Sequence, residues 1–405
     1  MLSFLRTGPL APLFECGFRP FFLLTAASAV IALAAWTAFF AIGLPLPATP
    51  GGPAVWHAHA MLYGFAMASV AGFVLTAIPE FTATRAIQRE PVFVLLVVWL
   101  AGRLASALPG VPGAAVVAML ADTVLLVGLV ALVAARLWRD PDRRHLSFLW
   151  ALLAMTGTTV GFHVQALAGA DPMRWLLLMT GLLMALIIVA MSRISMRIVN
   201  AALEEAGDTA VEYLARPPRR NLAIFCILLY TGMEFVAPGH PVSGWVALAA
   251  GAALLNLLND WHIGRALLQR WAFLLYLVYW FMALGYAVMG MALLTDTPWV
   301  SAGRHLAMIG AMGLAIFAVL NIAGRVHAGF EPDRRAWVPV AVALIAGAAL
   351  LRAAIGFGPV NAGFALAAAS ACWIGAFGLH LTFHWPVLTH PRSDGQRGCA
   401  GLADD

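Results

Sequence analysis

Twelve stretches of continuous apolar residues, most of them close to twenty long, fill this chain: 21–43, 56–78, 91–108, 113–135, 145–168, 173–194, 221–237, 242–258, 272–295, 300–323, 337–356 and 361–385. A run of about twenty apolar residues crosses the hydrocarbon core of a bilayer as a helix. Inside that core every backbone N–H and C=O must be satisfied within one helix or around a closed barrel. Barrel strands alternate in polarity and are about half this length, so the runs predict an all-α polytopic membrane protein of twelve transmembrane helices. Only 11% of the 405 residues are charged, about half the share in a soluble domain, which excludes a water-soluble globule. The first run is too long for a signal-peptide core and is kept as a span.

The remaining residues divide into short connections, so 1–405 reads as a single transmembrane domain without a soluble one. The longest connection, 195–220, sets Glu204, Glu205, Asp208 and Glu212 beside Arg197, Arg216, Arg219 and Arg220 and ends in Pro217-Pro218. It reads as a cytoplasmic surface helix or strap between two six-helix halves. Cys16, Cys226, Cys372 and Cys399 show no paired spacing, which argues against a disulfide framework and a thiolate metal site.

All 24 basic residues are arginine. With the amino terminus inside, 20 of the 24 fall on inner tails and loops, and such an excess sets orientation. Both termini are therefore expected to be cytoplasmic. The net charge of +5 reflects topology, and no patch suggests nucleic acid. Arg174 sits at the outer interface. Arg103, Arg304 and Arg352 fall inside runs near their outer ends, where a charge costs on the order of 3 kcal/mol without a partner, so an anion is expected nearby.

The histidines sort by depth. His57 and His59 open the second run, and His163 and His305 lie near the outer ends of the fifth and tenth. Arg103, Arg304, Arg352 and Glu234 share that layer, which suggests a common site. At 100° per residue His57 and His59 point about 200° apart and should not share one metal. Met61, Gly64, Ala68 and Gly72 form a stripe on the His57 face that lets a helix or a flat macrocycle approach; Tyr63 accompanies His59. Two imidazoles on opposite faces can serve a haem iron and a copper ion, and buried guanidinium groups can hold haem propionates. A second set, His262, His327, His380 and His384, lies toward the cytoplasm, the last two on one helix face at the i, i+4 spacing of two-histidine metal ligands. His145, His240 and His390 read as solvated loop or boundary residues. Asp122, midway along the fourth run, reads as a buried acid paired to a neighbouring helix.

At this point motifs accumulate. Phe14-Glu15-Cys16-Gly17-Phe18-Arg19-Pro20-Phe21-Phe22 resembles the GFRPFF opening of the NnrS family of bacterial membrane proteins, and Trp56-His57-Ala58-His59-Ala60-Met61-Leu62-Tyr63-Gly64-Phe65 its WHxHEMxxGF signature. Ala71 to Ala77, Trp99-Leu100-Ala101-Gly102-Arg103 and the carboxyl-terminal Pro391-Arg392-Ser393-Asp394-Gly395 extend the resemblance. It implies a haem- and copper-containing inner-membrane protein of twelve helices, associated with nitric oxide and nitrosative stress. Carried over by position, metal ligands are sought at His57 and His59, then at His305 and His327, the latter matching the histidine of the family's GHTGR stretch, with His163 beside them. The chain departs from the pattern at Ala60, where the family has glutamate, at Val326-His327-Ala328-Gly329-Phe330, which keeps part of GHTGR, and between Met191 and Leu203.

The reading is an integral membrane haem, or haem-copper, protein that binds or handles nitric oxide, with Met61, Tyr63 and Glu234 lining the pocket and a respiratory electron donor as a possible partner. Whether it is an enzyme stays open. Two alternatives stand beside it: a twelve-helix secondary transporter, for which the six-plus-six arrangement speaks, and a cofactor-handling assembly protein for a respiratory complex.

Overall fold

In a computed structural model the described residues are 4–141, 143–208, 211–358 and 360–402. Among them there are helices and connections and no strand. Two short turns, Phe4–Thr7 and Ala11–Phe14, precede twelve long helices. These are α1 (Phe18–Ile42), α2 (Pro53–Phe81), α3 (Glu90–Ala107), α4 (Ala114–Arg139), α5 (Leu146–Leu167) and α6 (Met173–Glu205). They continue as α7 (Pro217–Val236), α8 (Pro241–Trp261), α9 (Arg270–Thr295), α10 (Val300–Val326), α11 (Trp337–Phe357) and α12 (Ala362–Thr389). Eleven are long and apolar enough to cross a membrane. The exception, α7, carries Arg219, Arg220 and Glu234 within its 20 residues.

Local chemistry sets the helix ends. Proline lacks an N–H, which the first turn of a helix does not need, and its fixed φ suits that turn; Pro53, Pro91, Pro217 and Pro241 open α2, α3, α7 and α8. Gly43, at φ +70°, closes α1 in the left-handed conformation that lacks a Cβ penalty only for glycine. The 195–220 connection, expected as a surface helix or strap, is helical over its first part, where α6 runs on to Glu205, and Pro217-Pro218 starts α7.

Contacts sort the chain into two compact units. The first comprises Met1–Met179, Val319–Arg335 and Phe377–Asp405, and the second Thr180–Ala318 and Ala336–Ala376. The boundary passes through α6, α10 and α12, not through the connection after α6. In the first unit α4 packs against α2, α3 and α5, and α1 packs along α2. In the second, α9 packs against α8 and against the start of α10, which also meets α11. Gly285 and Gly303 stand face to face there, each so near the other's carbonyl oxygen (2.8 and 2.6 Å from a built Cβ) that no side chain fits.

α2 and α10 are the most enclosed spans, with 94% and 83% of their apolar windows buried. Each contains a π-helical stretch, Ala60–Ala66 and Leu306–Gly313, that begins directly after a histidine, His59 or His305. In both, a glycine follows the histidine by five positions, Gly64 and Gly310. A π stretch widens the helix by one residue per turn and is frequent at functional sites.

Cys16 and Cys399 correct the expectation drawn from cysteine spacing. They form a disulfide, with Cα atoms 5.3 Å apart and 383 positions between them in sequence. Spacing along a chain carries no signal for a bond between the two ends.

Candidate metal centre

Four consecutive helices of the first unit each contribute one group. Asp122 on α4 is buried, and its Oδ2 lies 3.2 Å from His59 Nε2 on α2 and 3.0 Å from His163 Nε2 on α5. Its Oδ1 pairs with Arg103 of α3 in a short charge-assisted contact. The arginine thus has the anion that its position in an apolar run demands, and that anion is a side chain of the protein. The buried Nε of Arg103 has no hydrogen-bond partner among the described residues.

Close packing brings these helices together. Gly102 faces α4, where a Cβ would stand 3.0 Å from Ala121 Cβ and 3.1 Å from Asp122 Oδ1, so glycine permits the close approach of α3 to α4 beside the carboxylate that Arg103 meets. His59 stacks on Tyr63 and on Phe162, with ring centroids 4.8 and 5.0 Å away. Tyr63 Oη donates to Thr159 Oγ1 at 3.0 Å. Trp99 Nε1 donates to the Tyr63 carbonyl at 3.1 Å, satisfying a backbone group of the π stretch.

His59, Asp122 and His163 offer ligand atoms all within 4.8 Å of one another. Four bonds of the usual 2.0–2.2 Å around one ion place donor atoms about 3.4 Å apart, close to the two separations at Asp122. Two imidazoles and one carboxylate suit first-row transition metals, copper and iron among them. The donor set fits a single ion. It does not fit haem: Tyr63 and Phe162 stack on the His59 ring, and along the small-residue stripe Phe22 of α1 already presses on Gly72, at 2.8 Å from a built Cβ.

The other sequence candidates take distinct places. His57 faces away from His59, stacked on Trp36 of α1 at 4.4 Å. His327 belongs to the other end of α2: its Nε2 is 3.5 Å from Glu80 and its Nδ1 donates to the Ala400 carbonyl at 2.9 Å. Some 21 residues of helix, about 31 Å, separate Glu80 from His59, so His327 and His59 do not share an ion. His380 and His384 are fully buried and stacked, centroids 4.2 Å apart and planes within 18°. Imidazole lone pairs lie in the ring plane, so near-parallel rings do not converge on one ion. His262 is exposed, its Nδ1 3.0 Å from the Asn259 carbonyl. His145, expected in solvent, is instead buried against Phe81.

In the second unit His305 Nδ1 donates to the Ser301 carbonyl at 2.7 Å, which fixes the tautomer in which Nε2 is the basic nitrogen. Arg352 of α11 donates to Ser301 Oγ at 3.3 Å. Glu234 accepts from Gly239 N at 3.2 Å. Asp122 is the residue that sequence reasoning placed outside the site; the available signal was an aspartate alone in the middle of an apolar run.

A search of curated proteins finds no match to the chain. The family described as NnrS protein matches residues 12–392, nearly the full length and including all four groups of the centre. The chain belongs to the NnrS family.

Proposed function

We propose that the chain is a metalloprotein of the bacterial inner membrane that binds nitric oxide, with His59 Nε2, His163 Nε2 and Asp122 Oδ2 holding one transition-metal ion, copper foremost. The observation that carries this reading is the convergence of two imidazole nitrogens on one carboxylate oxygen, from three helices, in the enclosed part of a membrane protein. When bound, such an ion supplies an open coordination position to a small, weakly polar ligand. The protein residues supply the rest. Asp122 offsets positive charge and orients both imidazoles, Arg103 fixes the carboxylate from behind, and Phe162 and Tyr63 exclude water. The carboxylate that the family signature carries at position 60 is alanine here, and α4 provides one through Asp122.

A haem, which the resemblance to the family implies, fits His305 better than His59. Its ring is oriented by Ser301 as a proximal ligand requires, with Arg352 and Arg304 as cations for propionates. Glu234, in the same unit as His305, is then a pocket residue, and a respiratory electron donor would serve either centre.

Metal analysis and an absorption spectrum of the detergent-purified protein, with and without nitric oxide, test the proposal. One copper or iron ion per chain, a Soret band and a spectral change with nitric oxide support it. A colourless, metal-free protein that moves a solute in vesicles overturns it in favour of transport.

A further inference from the structure

The disulfide belongs to a small assembly at the Glu80 end of α2, away from the metal centre. Cys16 lies in the turn before α1 and Cys399 in the tail after α12, both buried. Next to Cys399, Ala400 pairs with His327 in both directions: Ala400 N donates to the His327 carbonyl, and His327 Nδ1 donates to the Ala400 carbonyl, each at 2.9 Å. Ser393 Oγ donates to the Gly329 carbonyl at 2.5 Å, and Arg19 Nη1 to the His390 carbonyl at 2.6 Å. Within the tail Arg392 pairs with Asp394 and donates to the Arg397 carbonyl at 3.2 Å. The Arg392 guanidinium holds the Asp394 carboxyl below the usual carboxylate range, so the pair stays charged at neutral pH. The tail thus covers the turn at His327, and the disulfide staples it one residue from the His327 contact.

The arginine distribution predicts cytoplasmic chain ends, and in that compartment thiol buffers keep cysteines reduced and a disulfide is usually transient or sensing. A permanent staple is out of place there. A reversible one is not.

We propose that Cys16 and Cys399 form a redox-active pair that takes a thiol or disulfide co-reactant of the glutathione or thioredoxin class and whose state decides whether the tail is clamped over His327. On closure the S–S bond forms as the two thiols give up two electrons and two protons, which the incoming disulfide takes to become two thiols. Reduction is the reverse, with a dithiol or two small thiols as donor. In the reduced form the tail is held to the body by its hydrogen bonds to the His327–Gly329 turn and to Arg19, and it opens more often, releasing His327 Nδ1. The pair requires nothing of the His59 centre, so metal content is the same in both states and the two proposals fail separately.

The test uses the full-length protein in detergent, equilibrated in oxidised or reduced glutathione, quenched in acid, unfolded and labelled with a maleimide polymer that adds mass at each thiol. Two labels are expected in oxidised glutathione, on Cys226 and Cys372, and four in reduced, interconverting in both directions. Trypsin should cut after Arg397 roughly tenfold faster or more in the reduced form, because local opening governs cleavage. Cys399→Ser should show the fast rate in both mixtures; wild-type protein carries both readouts if that variant does not fold. A thiol count that stays at two in reduced glutathione or four in oxidised glutathione overturns the proposal. So does a cleavage rate that is the same in both states.

Discussion

Asp122 divides its oxygens between two kinds of partner, a guanidinium on Oδ1 and two imidazoles on Oδ2. Removing one member of a buried ion pair leaves the other uncompensated, at a cost of about 3–5 kcal/mol, whereas replacing both by apolar groups is often neutral. Arg103→Ala should therefore lower stability by that amount in thermal unfolding in detergent. The double variant Arg103→Met with Asp122→Leu should regain part of the stability, short of full recovery because His59 and His163 lose their carboxylate partner, and should hold no ion. His57 makes the contrasting case. Stacked on Trp36 and turned from the centre, it should tolerate His57→Ala with a loss of about 1 kcal/mol and full metal content. The opposition of His57 and His59 was legible in the sequence because two residues on one helix fix their own angle. The role of Asp122 was not, because its partners lie 19, 41 and 63 positions away and helical periodicity says nothing about which helices adjoin.

Helix positions were legible to within a few residues wherever continuous apolarity marked them, as at α4 and α11. The end of α6 was not. Beyond residue 194 the apolar run stops but the helix continues, with Ser195, Val199, Ala202 and Leu203 buried at helical spacing; a helix leaving the apolar layer keeps one packed face and loses the rest. The π stretches at Ala60–Ala66 and Leu306–Gly313 left no signal in hydropathy, since one extra residue in a turn changes no side chain. Gly102 sets the approach of α3 to α4 beside Asp122. Gly102→Val should force the two helices apart at a cost of about 1–3 kcal/mol. Because the displaced group carries Arg103, metal content should fall along with stability in parallel assays. A variant that loses stability but keeps its ion would show that the spacing serves packing alone.

Across the whole molecule, one chain builds two compact units, and in each a histidine precedes a π stretch, in α2 for the first and in the part of α10 before Val319 for the second. Sequence reading anticipated the polytopic helical character, because the bilayer imposes it residue by residue. It did not anticipate the two units or the Cys16–Cys399 bond, which depend on contacts between stretches far apart in the chain. If the two histidine sites are independent, His305→Ala should remove a Soret band and leave the ion at His59, while His59→Ala should do the reverse, as read from spectra and elemental analysis of the same preparations. The most direct test of the account is the metal stoichiometry of five purified proteins: wild type, His57→Ala, His59→Ala, His163→Ala and Asp122→Asn, each after exposure to copper and removal of excess. The account predicts one tightly held ion in the first two and none in the other three. Equal copper in all five, or none in the wild type, would contradict it.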